Sequence, residues 1–92
     1  FNADILFFSC RAVSIEKGLS DISMDEAELR RLMMANCKKI VLLCDSSKFD
    51  KVSFCKICGF EKIDCIITEK KPSDQWIEFL KGKNIELVYE SD

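Results

Sequence analysis

Apolar runs with polar ends punctuate the chain. Asp4 to Ser9 encloses Ile5-Leu6-Phe7-Phe8, and Ile40-Val41-Leu42-Leu43-Cys44 and Cys65-Ile66-Ile67-Thr68 repeat the pattern. Apolar residues at consecutive rather than alternating positions predict strands covered on both faces. Ile85-Glu86-Leu87-Val88-Tyr89 carries an outward Glu86 and predicts a fourth strand at a sheet edge.

Helical signals fill the gaps. Ser23-Met24-Asp25-Glu26 reads as a capping box, with the Ser23 hydroxyl taking a free backbone N–H and Glu26 reaching back. Beyond it Ala27, Leu29, Leu32, Met33 and Cys37 recur at helical spacing, which leaves Glu28, Arg30, Arg31 and Lys38 outside. Asp50 is expected to open a short helix that Gly59 closes. Pro72-Ser73 introduces a third helix through Trp76, Ile77 and Leu80, with Gly82 as its stop. Strands alternating with helices imply βαβ units with right-handed crossovers. The expected fold is α/β, a three-layer sandwich with a mainly parallel sheet. Residues 1–92 read as a single, partial domain, because the chain enters a strand almost at Phe1.

Composition narrows the function. The net charge of −2 and the lack of a Lys/Arg-rich run argue against a nucleic-acid footprint. No apolar stretch is long enough to span a bilayer, and a cytoplasmic location is expected. The six cysteines include Cys37, Cys44, Cys58 and Cys65 in or beside apolar elements, where a reduced thiol packs as a small hydrophobe. Cys55-Lys56-Ile57-Cys58 forms a C-x-x-C, but no histidine and no second pair complete a zinc site. No metal and no cofactor are expected. Without histidine the usual general base is missing, and no nucleophile elbow, Walker loop or dinucleotide fingerprint is present.

Candidate chemistry lies where open parallel sheets bind ligands, beyond the carboxyl ends of the strands. The first loop there holds Ser9, Cys10, Arg11 and Ser14, then Gly18-Leu19-Ser20; the second reads Asp45-Ser46-Ser47-Lys48; the third holds Glu69, Lys70 and Lys71. Two hydroxyls and an ammonium in the second loop suit a phosphate oxygen or a sugar hydroxyl, and Asp45 suits sugar hydroxyls. The competing reading makes Asp45 and the serines turn caps and Lys48 a solvated residue. Arg11 is either a second cation of the pocket or a surface arginine paired with a carboxylate.

These residues also resemble a known family. Phe7-Phe8-Ser9-Cys10-Arg11, Val13 to Ser20 and Glu26 to Met33 resemble the C-terminal sensor domain of the deoxyribose-repressor (DeoR) family. Leu42-Leu43-Cys44-Asp45-Ser46-Ser47-Lys48-Phe49 is similar to its L-A-D-S-S-K-F segment, and Ile63-Asp64-Cys65-Ile66-Ile67-Thr68 to its I-D-x-x-I-T-D. The resemblance implies a non-enzymatic sensor of a phosphorylated sugar or related metabolite, with a fold similar to ribose-5-phosphate isomerase. It implies a homo-oligomeric repressor of sugar-catabolism genes, touching operator DNA through an N-terminal winged helix-turn-helix outside residues 1–92. Its ligand residues would be Asp45, Ser46, Ser47 and Lys48, with Ser9, Cys10 and Arg11 on the same side. Two positions depart from the family pattern: Asp50 where glycine is common and Glu69 where aspartate is common. The alternative is a fragment of a sugar-phosphate isomerase-like enzyme using Lys48 and Glu26.

Overall fold

The computed structural model describes residues 3–90. Strand β1 (Ala3–Phe8) leads into a hairpin of β2 (Ala12–Ser14) and β3 (Gly18–Asp21), followed by helix α1 (Met24–Ala35) and strand β4 (Cys37–Leu43). A 3₁₀ turn (Ser46–Lys48) comes next, then β5 (Cys55–Cys58), β6 (Cys65–Thr68), α2 (Asp74–Gly82) and β7 (Glu86–Tyr89). Strands β1, β4, β6 and β7 form a parallel sheet in that spatial order, and β2, β3 and β5 form a small antiparallel sheet.

The strand order explains the layering. Each crossover of the parallel sheet steps the same way, from β1 to β4 to β6 to β7. Right-handed crossovers that all step one way place every connection on one face. The core confirms this placement: Leu6, Phe8, Ile40, Leu42 and Ile66 from that face pack with Ala27 and Met34 of α1 and Trp76 and Leu80 of α2. Full burial of each large apolar side chain contributes about 1.5–3 kcal/mol relative to exposure. The opposite face carries Phe7 beside Val41 and Leu43 beside Ile67. There Ile5 and Phe7 stand 47% and 58% exposed. The described residues thus supply two layers with a mainly parallel sheet, compatible with part of the expected three-layer sandwich, and among them β1 is covered on one face.

Other elements also differ from expectation. The first loop, assigned from its polar residues, contains the β2–β3 hairpin, with Ser14 paired to Gly18 and Ser20 buried. Gly18 has φ +82°, and a Cβ there would collide with the Cys58 carbonyl oxygen of β5. No helix spans 50–59. Asp50 takes φ +62°, which a helix cannot continue, and Cys55–Cys58 pairs with β3 as a strand. Helix α2 runs through Gly82 itself, and the left-handed residue past its end is Asn84 at φ +59°. Strand β7 lies at the sheet edge, as its polar pattern suggests.

Helix α1 is rotated relative to its apolar pattern. Ser23 Oγ accepts from the Glu26 backbone N–H as a cap should, at 3.2 Å. Glu26's carboxylate, however, accepts from Arg30 Nη1 at 2.7 Å, which occupies the arm expected to complete the capping box. Ala27 and Met34 are buried, while Leu32 is 63% exposed. Arg30 turns inward toward the Ser9 carbonyl and Asp21, two acceptors outside the helix.

Candidate functional site

The carboxyl ends of β1 and β4 open into a cleft of about 450 Å³, a size suited to a small ligand. Ser9, Cys10 and Arg11 follow β1, and Asp45 and Lys48 follow β4; all five line it. The far wall comes from the end of β3 and the start of α1, through Asp21, Ile22, Glu26 and Arg30, with Leu43 and Cys44 closing the β4 side. Adjacent parallel strands set this geometry. Phe8 is in register with Leu42, so the loops after them leave side by side.

The turn carrying Lys48 is locked by two carboxylates. Asp45 Oδ1 accepts from the Ser47 N–H at 2.9 Å and from the Ser47 hydroxyl. The hydroxyl chiefly, and the N–H after it, hold Asp45's pKa below the usual carboxylate value. Glu69, at the end of β6, accepts from the Ser46 N–H at 2.8 Å and the Ser46 hydroxyl at 2.7 Å, and Thr68's hydroxyl adds a third bond at 3.1 Å. Led by the Ser46 hydroxyl, these bonds draw Glu69's pKa down to about 2. The donors of both serines are thus engaged, Ser47's within the turn and Ser46's by Glu69, and neither serine lines the cleft. Lys48 does line it, anchored by its own N–H to the Asp45 carbonyl at 3.1 Å.

Charge in the cleft is balanced. Arg11, Arg30 and Lys48 face Asp21, Glu26 and Asp45. Neither Arg11 nor Lys48 forms an ion pair among the described residues, whereas Arg30 is bound on several sides. Its Nε donates to the Ser9 carbonyl at 2.7 Å and lies 3.5 Å from Asp21 Oδ2. Asp21 is nearly sealed, its side chain 4% exposed, and its other oxygen accepts from the Ile22 N–H at 2.7 Å. Sequence reasoning passed over Asp21 and Arg30. Helical spacing placed Arg30 outside, and Asp21 stood in a segment read as loop.

Cys10 and Cys44 form the cleft's thiol-bearing floor. Burial is the main cause that raises their pKa, to about 11 and about 12 respectively, so both are protonated at neutral pH and poor nucleophiles. All six cysteines are free, and among the described residues no group of three or more His, Cys, Asp or Glu side chains is placed to hold a metal ion. No helix among the described residues is long and apolar enough to cross a membrane.

The cleft's sequence context matches known proteins. A family model described as the DeoR C terminal sensor domain matches residues 1–70. The chain is 33% identical over 88 residues to a putative aga operon transcriptional repressor of Escherichia coli O157:H7, covering 96% of this chain and 33% of the relative. It is 28% identical over 89 residues to the deoxyribose operon repressor of Escherichia coli K12, covering 97% and 35%. A third relative is the HTH-type transcriptional regulator GlpR of Haloferax volcanii, 38% identical over 68 residues, covering 74% of this chain and 27% of that protein. The chain spans about a third of the length of the first two relatives.

Proposed function

Because the chain belongs to the family of DeoR C-terminal sensor domains, we propose that its cleft binds a phosphorylated sugar or related phosphorylated metabolite. In this reading it controls a cytoplasmic repressor of sugar-catabolism genes. One observation carries the reading. Lys48 and Arg11, cations without ion-pair partners among the described residues, share the cleft with the acceptor Asp45. A phosphoryl group gains charge-assisted hydrogen bonds from the cations, while sugar hydroxyls donate to the carboxylate. Ser9 and Cys10 contribute wall and floor, and Ser46 and Ser47 act by shaping the turn that presents Lys48.

Operator contact is proposed to belong to a region outside these residues, since the net charge is −2 and no helix among the described residues presents a basic recognition face. The full repressor is proposed to be a homo-oligomer, with no enzymatic activity and no cofactor. The isomerase-like alternative needs Glu26 as a base, and that carboxylate is tied to Arg30. The test is operator binding by the full-length protein, followed by fluorescence anisotropy across a panel of sugar phosphates. One or more should release the operator while the parent sugars do not. Release by none of them, or equal release by parent sugars, would overturn the reading.

A further inference from the structure

We propose that Arg30 is a further ligand-binding residue of this cleft, reading the ligand's anionic group through its Nη2 amino group. The inference rests on the reading above and deepens it, because it assigns selectivity for the phosphorylated over the unphosphorylated form.

Three parts of the fold hold the guanidinium. Nε donates to the Ser9 carbonyl at 2.7 Å and faces Asp21 Oδ2 at 3.5 Å, and Nη1 donates to Glu26 Oε2 at 2.7 Å and the Glu26 carbonyl at 3.4 Å. These bonds engage Nε and Nη1 of a planar guanidinium that carries five N–H donors, and leave the two donors of Nη2. Nη2 has no hydrogen-bond partner among the described residues. It is not sealed either: no buried side-chain nitrogen or oxygen among them is left unpaired. Arg30's side chain is 21% exposed, and the residue lines the same cleft as Lys48 and Arg11.

Arg30 therefore presents a pair of immobilised donors to an anion arriving in the cleft. Asp21 and Glu26 already offset its charge, so its contribution is direction, whereas Lys48 and Arg11 supply net positive charge. An immobilised donor loses little side-chain freedom on binding, unlike a solvated lysine. An anionic phosphoryl or carboxylate oxygen suits it; a neutral hydroxyl gains much less.

Calorimetric titration of the full-length protein tests the assignment. The probes are inorganic phosphate and a panel of aldose and ketose monophosphates, each paired with its unphosphorylated sugar. For the wild type, one or more monophosphates should bind more tightly than the parent sugar. Arg30→Gln should shrink that ratio by about ten- to a hundredfold, the worth of one or two charge-assisted hydrogen bonds. Affinity for the parent sugar should stay unchanged. Arg30→Lys should lose most of the ratio too, because a flexible ammonium keeps the charge but not the donor held in place by bonds to Ser9 and Glu26. If Arg30→Gln unfolds because Asp21 is left buried and unpaired, Arg30→Lys carries the test. A ratio unchanged in the folded variant overturns the assignment while leaving the sensing function standing. So does an equal loss of both affinities, which marks a merely structural wall. Wild-type protein that binds no panel member sinks both.

Discussion

The indole N–H of Trp76 donates to Asp50 Oδ1 at 2.9 Å across 26 residues of sequence, and Asp50 accepts it from a left-handed backbone at φ +62°. Phe49 adds an edge-on contact to the same indole, with ring centroids 4.9 Å apart. Together they fasten the segment immediately after Lys48 to α2. Glycine, common at this position in the family pattern, suits the conformation; aspartate suits it less but adds the bond to Trp76.

The two effects separate in a substitution series. Asp50→Gly keeps the easy backbone but strands the Trp76 N–H, which should cost about 1–3 kcal/mol. Asp50→Ala loses the bond and also strains the backbone, adding about 1 kcal/mol. Asp50→Asn retains an acceptor and tolerates positive φ, and should stay closest to wild type. Urea unfolding followed by the emission of Trp76, the chain's single tryptophan, reads all of them. An alanine variant as stable as the glycine variant would contradict the backbone contribution.

Acid sensitivity follows from the Ser46–Glu69 contact. Glu69's pKa falls from 4.5 to about 2 in the folded chain, so the unfolded chain binds its proton first as pH drops. Its stabilisation is complete above pH 4.5 and fades as pH falls through about 2. Glu69→Gln should lower stability at neutral pH and make the acid limb of a stability-versus-pH curve shallower in that window, the two proteins converging as pH falls through it. An acid limb identical to wild type would show that another carboxylate controls it.

The parallel strands and both long helices were legible because consecutive apolar runs and capping residues are local signals. Strands at Ile5, Val41 and Ile66 lie parallel, with Ser9 and Asp45 brought to one cleft. The small sheet was not legible. Ala12–Ser14, Gly18–Asp21 and Cys55–Cys58 are short, and their pairing is decided by tertiary contact, such as the close approach of Gly18 to Cys58. The cleft's far wall was hidden for a related reason. Arg30 turns inward because of Ser9 and Asp21, which are distant from it in sequence, and periodicity along one helix contains no such information.

Neighbouring phenylalanines on β1 give a test of that strand's one-sided burial. Phe8 is buried in the core, whereas Phe7 is 58% exposed on the opposite face. Phe8→Ala should cost about 3–5 kcal/mol. Phe7→Ser should change the stability of the 92-residue chain by less than about 1 kcal/mol while reducing its binding of a dye that reports apolar surface. Equal losses for both variants in chemical unfolding would contradict the layering.

Lys48 carries the central claim, and calorimetric titration of full-length wild type against Lys48→Ala tests it most directly. The ligand is whichever sugar phosphate the wild type binds best. Loss of the ammonium should weaken binding about ten- to a hundredfold, since a charge-assisted hydrogen bond contributes about 1.5–3 kcal/mol. The unfolding midpoint without ligand should barely move, because Lys48 makes no ion pair among the described residues. Wild-type affinity retained in a folded Lys48→Ala would make Lys48 a solvated loop residue and contradict the site.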